Sequence, residues 1–436
     1  VALARVFGCA RVVYNDALAL RRHAFEAGLP RLSASQLQRE VVTLAKLTVR
    51  RAFLAEVGVD PLIQAVRDLE GAYGNYFASL SGKRKGPKIA EPRFKSRKDN
   101  RQAVRFTRNG FRLRGNGTLY LAKIGEVRVR WSRILPSEPP SVTVVKDARG
   151  RYFASFVVET DPAADLGRFP LDPDRAYTET GIDLGLTHFA VLSDGKKIDA
   201  PGFLRRAERK LRRLQQDLAR KQKGSNNRKK AVVEVAAAHA HVADSRRDFQ
   251  HKLSTTIIRE TQAVYVEDLS VAGLGRTRLA KSVHDAGWSG FVDMLEYKAA
   301  RYGRYFARID RFTPTSQVCS ACGVKDGPKP LSVRQWTCAG CGARHDRDVN
   351  AARNVLAAGQ ADRVNACGDQ VRPGLVPAPV CEAGTHRGDL SSAQCASAPA
   401  APNGAVGIPA LGDREDVKGS PSVHRGTLWS PPVSRR

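Results

Sequence analysis

Apolar residues recur with a helical period along the first 82 residues. The pattern breaks at Gly28–Pro30, where Ser33 or Ser35 can cap a new helix, and it breaks again near Asp60-Pro61. These residues are therefore predicted to form a helical module.

Two later segments, "LYLAKIGEVRVRW" and "SVTVVKDARGRYFASFVVET", alternate apolar and polar residues with a period of two. Such alternation between turn residues predicts β-hairpins, and a small β-barrel or sheet is expected within residues 83–176. The segment "TGIDLGLTHFAVLSDGKKI" predicts three further strands with a turn at Asp194 and Gly195. These strands would form an antiparallel meander.

The helical period returns in residues 203–260, where "KGSNN" provides a turn between two helices. The first of these helices carries an apolar face made by Leu204, Leu211, Leu214 and Leu218. The apolar run "AVYVEDL" predicts a buried strand that ends in carboxylates. A helix near Ser289–Tyr302 and a strand near Arg304–Ile309 are expected to follow. Residues 366–436 hold nine of the 23 prolines without an apolar period, which is typical of a disordered tail.

The chain carries 72 Lys and Arg against 43 Asp and Glu, a formal net charge of +29. A positive field of this size attracts polyanions, so nucleic acid is the leading partner. A basic protein of the membrane surface is the alternative. Against it, no apolar run of membrane-spanning length and no cleavable signal peptide are visible, and no membrane partner is expected.

Two segments concentrate the positive charge. Residues 83–108 hold eleven Lys and Arg against two acids, with Phe94 and Phe106 between them, and residues 201–230 hold twelve against two. A charge run is usually only a solvated face, but aromatic residues among the cations favour contact with a nucleic-acid backbone. The residues predicted to bind nucleic acid are Lys83, Arg84, Lys85, Arg93, Lys95, Arg97, Lys98, Arg105, Lys221, Lys223, Arg228, Lys229 and Lys230.

Four cysteines form two tight pairs, "CSAC" and "CAGC", separated by fifteen residues. This spacing is typical of a four-thiolate zinc ribbon, and a redox pair is the alternative. Because four thiolates leave no open coordination position, the zinc is predicted to be structural. The predicted ligands are Cys319, Cys322, Cys338 and Cys341, whereas Cys9, Cys367, Cys381 and Cys395 show no partner spacing.

Three acids lie at the ends of predicted elements. Asp183 lies in the strand "GIDLG", Glu267 ends "VYVE", and Asp348 begins the helix "VNAARNVL". One such acid is usually a helix cap or an ion-pair partner. Three together could bind two catalytic Mg²⁺ ions roughly 4 Å apart, which would activate water and stabilise the leaving oxygen of a phosphodiester. Asp346 is the alternative third acid.

Several motifs, in this order, closely resemble TnpB (OrfB) proteins of bacterial insertion sequences: "GIDLGLTHFAVLSDG", "VYVEDLSVAGL", "DAGWSGFVDMLEYKAARYG" and "CSACG…WTCAGCGARHDRDVNAARN". The resemblance begins at residue 1 and leaves the proline-rich tail unmatched. It matches Asp183, Glu267 and Asp348 to the three RuvC acids of the family, and it matches the four ribbon cysteines. Asp268 and His345 are assigned to supporting positions.

The resemblance implies a mixed α/β (α+β) chain with an RNase H-like RuvC domain and an inserted zinc ribbon, preceded by a β-barrel with a helical recognition lobe. It implies that a guide RNA from the transposon end directs cleavage of double-stranded target DNA in the bacterial cytoplasm, at the nucleoid. The predicted boundaries are 1–82 for the helical recognition lobe, 83–176 for the basic segment and β-barrel, 177–312 for the RuvC-like domain with the hairpin 203–260, 313–345 for the zinc ribbon, 346–365 for the last RuvC segment, and 366–436 for the tail.

One departure from the family concerns the start of the chain. Family members carry a further strand before "FGCARVVYN", whereas this sequence begins at Val1 and its only methionine is Met294. The missing strand would belong to the β-barrel, so an exposed sheet edge is expected.

Three functional hypotheses follow. The first is an Mg²⁺-dependent, RNA-guided DNA endonuclease. The second is a non-catalytic accessory or regulator of transposition, which would bind nucleic acid with a steep salt dependence and give no Mg²⁺-dependent product. The third, a transposase that joins strands itself, ranks last because no tyrosine or serine nucleophile motif is visible.

Overall fold

The computed structural model describes residues 1–84, 86–99, 101–115, 117–166, 170, 178–330 and 332–367. Lys85 and the part of the predicted tail from residue 368 onward lie outside the described residues. The last helix continues to Cys367, two residues past its predicted end at residue 365. The predicted tail therefore begins too early.

Helices dominate the first 82 residues, as predicted. Their bounds are α1 (Ala2–Glu26), α2 (Ala34–Gln38) and α3 (Val59–Leu80), with a π-helical turn (Arg39–Leu44) and 3₁₀ turns (Ala45–Leu47 and Ala52–Glu56) between α2 and α3. Ser33 begins α2 with a capping box: its hydroxyl accepts from the Gln36 backbone N–H, and the Gln36 side chain accepts from the Ser33 N–H. The predicted cap is thereby confirmed.

The described strands that follow form two antiparallel sheets of three strands each, ordered β1-β5-β6 and β2-β3-β4. Their bounds are β1 (Gln102–Thr107), β2 (Phe111–Leu113), β3 (Thr118–Leu121), β4 (Gly125–Arg128), β5 (Ser141–Lys146) and β6 (Tyr152–Val157), and α4 (Pro162–Leu166) comes next. These strands do not close into one ring, so the predicted barrel is not confirmed. Among the described strands β6 is an edge, with Tyr152, Phe153 and Val157 exposed.

The helices and these sheets share one hydrophobic core. Leu18 of α1 and Leu69 of α3 are fully buried together with Phe106 of β1. Asp60 of α3 also joins helix to sheet, because its carboxylate accepts from the backbone N–H (2.6 Å) and the hydroxyl (2.9 Å) of Thr107. The core therefore extends across the predicted boundary at residue 82.

The second half is built on a five-stranded mixed sheet ordered β11-β10-β7-β8-β9. Its strands are β7 (Glu179–Asp183), β8 (His188–Leu192), β9 (Lys197–Asp199), β10 (Ala263–Glu267) and β11 (Tyr305–Ile309). β7, β8 and β9 form the predicted antiparallel meander, and Gly195 turns between β8 and β9 with a φ of 94°. β10 runs parallel to β7 on one side and to β11 on the other.

Five helices connect the strands of this sheet in the described chain. They are α5 (Phe203–Arg220), α6 (Asn226–Glu260), α7 (Val271–Leu274), α8 (Ala280–Ala286) and α9 (Trp288–Arg301). α5 and α6 form the predicted helical hairpin. The Phe189 ring of β8 contacts Phe249 of α6 and Phe291 of α9 edge-on, with ring centroids 5.1 Å and 5.0 Å away.

The cysteine segment contains a two-stranded sheet, β12 (Gln335–Thr337) and β13 (Arg344–Asp346), and leads directly into α10 (Arg347–Cys367). Two glycines let α10 approach the five-stranded sheet. A Cβ at Gly181 of β7 would lie 2.2 Å from the carbonyl oxygen of Ala352, and a Cβ at Gly359 of α10 would lie 2.1 Å from the Tyr265 ring. Backbone-level contact between helix and strand therefore fixes α10 over β7 and β10.

In the described part of the chain, no helix combines the length and the apolar character that a membrane crossing requires.

Candidate active site and metal centre

Three secondary-structure elements bring the predicted catalytic acids to one edge of the mixed sheet. Val266 of β10 pairs with Ile182 of the parallel strand β7, and the next residues on these strands are Glu267 and Asp183. Adjacent strands lie about 4.8 Å apart, so these two acids are neighbours at the carboxyl ends of their strands. Asp348 lies in the first turn of α10, which packs on β7.

The three acids interact electrostatically. Burial, and then the negative charges of Glu267 and Asp348, raise the pKa of Asp183 to about 8 against the opposing effect of Arg347 and Arg334. Burial also raises the pKa of Glu267, although a hydrogen bond donated by the Thr315 hydroxyl opposes this effect. The site therefore concentrates negative charge that a bound cation would neutralise.

Asp348 contacts two cationic or titratable side chains. The Arg334 guanidinium donates to its carboxylate over 3.4 Å and also donates to the Thr187 hydroxyl over 3.2 Å. His188 Nδ1 of β8 lies 3.7 Å from the Asp348 carboxylate. Asp348 is thus held between the start of α10, the ribbon loop that carries Arg334, and the meander.

Asp346, the alternative third acid, is used differently. Its carboxylate accepts from the backbone N–H groups of Asp348 (3.2 Å) and Val349 (3.1 Å), and Lys197 Nζ lies 2.6 Å away. Burial acts to raise its pKa, but the Lys197 contact and the backbone hydrogen bonds outweigh burial and lower it. Asp346 therefore caps α10 and leaves Asp348 as the acid that faces Asp183.

The cysteines form the tighter of the two clusters. Among the described residues, Cys319, Cys322, Cys338 and Cys341 are the group of metal-ligand side chains whose ligand atoms all lie within 4.8 Å of one another. The three carboxylates meet at one edge but are not drawn together as closely. All four sulfurs converge, which favours one shared metal ion over a redox pair formed by either CxxC alone.

The sulfur geometry fits a tetrahedral ion. Cys319 and Cys341 have their sulfurs 3.7 Å apart, as do Cys322 and Cys338. Four thiolates at about 2.3 Å from a tetrahedral zinc would lie about 3.8 Å from one another. The donor set and its spacing therefore fit Zn²⁺.

Both cysteine turns have the same backbone construction. The N–H of Gly323 donates to the Cys319 carbonyl and the N–H of Gly342 donates to the Cys338 carbonyl, each over 2.9 Å. Both glycines have a positive φ, 75° and 71°, which a residue with a Cβ adopts at a cost. The two glycines therefore allow both cysteine turns to form without backbone strain.

His345 supports the cysteine cluster. It is buried, its Nε2 lies 3.0 Å from Cys319 Sγ, and its ring contacts Trp336 with centroids 4.7 Å apart. Burial acts to raise the pKa of Cys319, but hydrogen bonds from backbone N–H groups and contacts with Cys322 and His345 lower it to about 6. A thiolate, the form that binds metal, is therefore favoured at this position. Asp268, the other supporting residue, pairs with Arg311.

The described residues predicted to bind nucleic acid separate into two groups. Those with exposed side chains are Lys83, Arg84, Arg93, Lys95, Arg97, Lys98, Arg105, Lys223, Lys229 and Lys230. Lys221 and Arg228 are partly buried, and Arg228 donates to the carbonyls of Leu218 (2.7 Å) and Lys221 (3.1 Å). The Arg228 guanidinium therefore closes the turn of the helical hairpin.

Some exposed cations also have partners within the chain. Lys95 Nζ lies 3.9 Å from the centroid of the Tyr14 ring, and Arg105 pairs with Asp68 over 3.1 Å. An exposed ion pair such as Arg105–Asp68 contributes little to stability, so Arg105 can exchange Asp68 for another anion.

Four residues near the acids were not predicted from the sequence: Thr315, Arg334, Asn350 and Asn354. Thr315 donates to Glu267, Arg334 donates to Asp348, and both asparagines bind the segment before the first cysteine pair. The asparagines lie four residues apart on α10, a spacing that places both on one face. The sequence "VNAARN" shows this spacing, but the groups that the two asparagines bind are determined by the tertiary fold.

Three stretches match known families. Residues 155–278 match OrfB_IS605, described as "Probable transposase". Residues 288–355, which include the cysteine cluster, match "Cas12f1-like, TNB domain", and residues 1–29 match "Helix-turn-helix domain".

The chain is also similar to named bacterial proteins and to a solved structure. It is 46% identical over 376 residues to a Streptomyces pristinaespiralis protein named "Putative RNA-guided DNA endonuclease", covering 85% of this chain and 88% of that one. It is 32% identical over 387 residues to InsQ of Escherichia coli K12, which has the same designation, covering 85% and 91%. A structure titled "Cryo-EM structure of the Cas12f1-sgRNA-target DNA complex" has a TM-score of 0.45 at 14% identity and covers 81% of each chain.

Identity at this level over most of both chains, together with the matched segment 155–278, shows that the chain belongs to the OrfB (TnpB) family of IS605-type insertion sequences.

Proposed function

We propose that this protein is an RNA-guided, Mg²⁺-dependent DNA endonuclease with a RuvC-like catalytic centre of the RNase H type. The observation that carries the proposal is the convergence of Asp183, Glu267 and Asp348 at one sheet edge, where burial and mutual repulsion raise the pKa of Asp183 to about 8. The designations of the relatives from Streptomyces and Escherichia coli support guided cleavage of DNA.

The donor set suits Mg²⁺. Carboxylate oxygens are the protein ligands that this hard cation prefers. Acids that lie close together in an empty cation site repel each other, and this repulsion raises the carboxyl pKa. Asp183, Glu267 and Asp348 would hold two ions, which would polarise the scissile phosphate and lower the pKa of the attacking water.

The protein positions these acids through its own contacts. Thr315 fixes the Glu267 carboxylate by a hydrogen bond, and Asp346 with Lys197 fixes the first turn of α10. Arg334 donates to Asp348 and partly balances the negative charge of the site. Glu267 and Asp348 are therefore each oriented by a contact from a different element.

The cysteine cluster has a structural role in this proposal. Cys319, Cys322, Cys338 and Cys341 would hold one Zn²⁺ with four thiolates and no open position. The hydrophobic cluster of this segment contains few residues, chiefly Trp336 between the two cysteine pairs, so a metal would supply most of its stability.

The basic surfaces would bind the guide RNA and the target DNA. The exposed cations of residues 83–105 precede and enter β1, and those of residues 223–230 lie at the tip of the hairpin α5–α6. We assign the helical recognition lobe to residues 1–82, the basic segment and β-barrel to 83–176, the RuvC-like domain to 177–312 and 346–365, and the zinc ribbon to 313–345.

The proposal is tested by guided cleavage of a plasmid with a matched target by the variants Asp183→Asn, Glu267→Gln and Asp348→Asn. Each variant is expected to lower the cleavage rate by at least roughly a thousandfold, on the scale that loss of a catalytic group usually causes, while RNA binding stays near wild type. Asp346→Asn is the matched control: its amide oxygen can still accept the backbone hydrogen bonds at the start of α10, so cleavage should fall far less than in the other three variants.

Wild-type cleavage by Asp183→Asn would contradict the proposal. So would a wild-type protein that binds RNA and DNA with a steep salt dependence and gives no Mg²⁺-dependent product, since that result would identify a binding accessory of transposition.

A further inference from the structure

The two asparagines of α10 connect the acid-bearing helix to the first cysteine turn. Asn350 is buried, with 1% of its surface exposed. Its Oδ1 accepts from the backbone N–H of Ser320 over 2.9 Å, and its Nδ2 donates to the carbonyl of Val318 over 2.8 Å. The side chain thus binds the backbone on both sides of Cys319.

Asn354, one turn further along α10, binds the same segment. Its Nδ2 donates to the carbonyls of Thr315 and Val318, each over 2.7 Å. With Asn350, whose Nδ2 also donates to the Thr315 carbonyl over 3.4 Å, it makes two parallel connections from α10 to residues 315–320. We call these two side chains the asparagine clamp.

The segment held by the clamp also holds the second acid. The hydroxyl of Thr315 donates to the Glu267 carboxylate, while the Thr315 carbonyl accepts from the clamp. Residues 315–320 therefore contact α10, which carries Asp348, and β10, which carries Glu267. They include Cys319, a predicted metal ligand.

The opposite side of α10 is fixed independently. Gly181 and Gly359 bring the helix against β7 and β10, and these contacts limit how closely the helix approaches the sheet. The clamp lies nearer the N-terminal end of α10, where it connects the part of the helix that carries Asp348 to residues 315–320.

We propose that Asn350 and Asn354 are positioning residues that use the first cysteine turn as a rigid support to set the separation of Asp348 from Glu267. This inference rests on the proposed function, because it concerns the same carboxylates. The clamp touches neither substrate nor metal and acts through α10 and Thr315.

The test compares Asn354→Leu with Gln360→Leu in the full, zinc-loaded chain. Leucine keeps a similar volume at residue 354 and removes both hydrogen-bond donors. Gln360 provides the matched control, because its amide lies on the same helix and donates to Glu179 over 2.9 Å, away from the acids. Asn350→Ala serves as a second variant in the same assays.

Two readouts separate positioning from general stability. Mn²⁺ binding, measured by electron paramagnetic resonance, reports the carboxylate site directly, and the Mg²⁺ concentration for half-maximal cleavage reports it in turnover. Zinc content and Tm are measured alongside. Loss of a supporting hydrogen bond typically lowers metal affinity about 10- to 100-fold, so Asn354→Leu should weaken Mn²⁺ binding about tenfold with one zinc retained.

The expected result is a raised Mg²⁺ requirement for Asn354→Leu, with much of the cleavage rate recovered at high Mg²⁺, and wild-type behaviour for Gln360→Leu. Equal Mn²⁺ affinity in Asn354→Leu and Gln360→Leu would overturn the inference, even if the Tm of the former falls. Failure of the proposed function gives a different result. The wild type would bind Mn²⁺ and Asn354→Leu would bind it more weakly, but the wild type would cut no DNA. A wild-type protein that binds no Mn²⁺ would overturn both.

Discussion

At the scale of single residues, Asp183 shows how the fold changes the chemistry of a side chain. Its carboxyl lies at the end of a strand whose neighbours Ile182 and Leu184 are buried, and two further acids face it. A carboxylate in such surroundings is stable only when a cation or a proton compensates its charge. Proton uptake by Asp183 in the absence of a divalent ion is therefore an expected property of the site.

This property predicts a pH-dependent stability in EDTA. The folded chain holds a proton on Asp183 up to about pH 8, whereas an unfolded chain releases it near 3.8. Between these values the folded state binds more protons, so the free energy of unfolding falls as the pH rises, and the stabilising contribution is lost by the upper value. Asp183→Asn should remove this slope and, near the upper value, raise Tm by at least about 2 °C.

Differential scanning calorimetry of both proteins across this pH range in EDTA measures the effect. Parallel Tm profiles for wild type and Asp183→Asn would show that the carboxyl is ionised in the folded chain at low pH. Added Mg²⁺ should flatten the wild-type profile, because cation binding replaces the proton.

The residue scale also shows where sequence information ends. The cysteines were predicted from their spacing, and the acids were predicted from their places at the ends of predicted elements and from the family resemblance. Arg334 and Thr315 could not be predicted from spacing, because their partners Asp348 and Glu267 are reached through folding of the chain. The structure distinguishes the roles of Asp346 and Asp348, because Asp346 accepts a backbone hydrogen bond at the start of α10 and pairs with Lys197.

At the scale of elements, periodicity predicted the parts with a regular pattern. The meander β7–β9, the strand β10 and the hairpin α5–α6 were expected from alternation, a buried apolar run and an apolar helical face. The π-helical and 3₁₀ turns of residues 39–56 were not predicted, because no regular pattern in the sequence marks them. The pairing of strands 102–157 into two sheets was also not predictable, because alternation defines a strand but leaves its partner open.

Helix–sheet contact gives an element-scale prediction. Gly181→Ala places a Cβ 2.2 Å from the Ala352 carbonyl oxygen and 2.4 Å from the Leu356 nitrogen, both backbone atoms that cannot move aside alone. Overpacking of this kind should lower the free energy of unfolding by about 1–3 kcal/mol or more, and it should displace Asp348 and slow cleavage.

Gly74→Ala is the matched control, because a Cβ at this position in α3 meets nothing within 4 Å. It should leave cleavage unchanged and raise stability by up to about 1 kcal/mol. Urea denaturation followed by circular dichroism measures both variants. Equal stability of Gly181→Ala and wild type would contradict the close packing of α10 on β7.

At the scale of the whole molecule, the +29 charge is distributed among residues with different roles. Lys223 and Lys230 are exposed at the hairpin, whereas Arg228 donates to two carbonyls at the end of α5. Lys223→Ala and Lys230→Ala should weaken RNA binding and each lower the slope of log affinity against log salt by about 1. Arg228→Ala should instead lower Tm.

Filter binding at several salt concentrations and thermal unfolding separate these outcomes. An unchanged salt slope for both lysine variants would exclude the hairpin tip from the nucleic-acid interface. An unchanged Tm for Arg228→Ala would contradict its role in closing the hairpin turn.

The whole molecule also shows why the acids lie within a basic chain. In the proposed function, the positive surface would attract nucleic acid, and the three carboxylates would form one local negative site where divalent cations could meet the phosphodiester. The sequence already indicated both the basic surface and the acidic site, because Lys and Arg concentrate in residues 83–108 and 201–230 while the three acids lie outside these segments. The shared core of helices and sheets in the first half was not, since it depends on contacts such as that of Asp60 with Thr107.

The most direct test of the central claim is cleavage of a plasmid library with randomised sequence beside the target, using wild-type protein and Asp183→Asn co-expressed with the native transposon-end RNA. In Mg²⁺ the wild type should give guide-dependent cuts beside one enriched flanking motif, with no cuts in EDTA and none by Asp183→Asn. Guide-dependent cuts by Asp183→Asn at the wild-type rate, or cuts by the wild type that persist in EDTA, would contradict a metal-dependent centre built on these three acids.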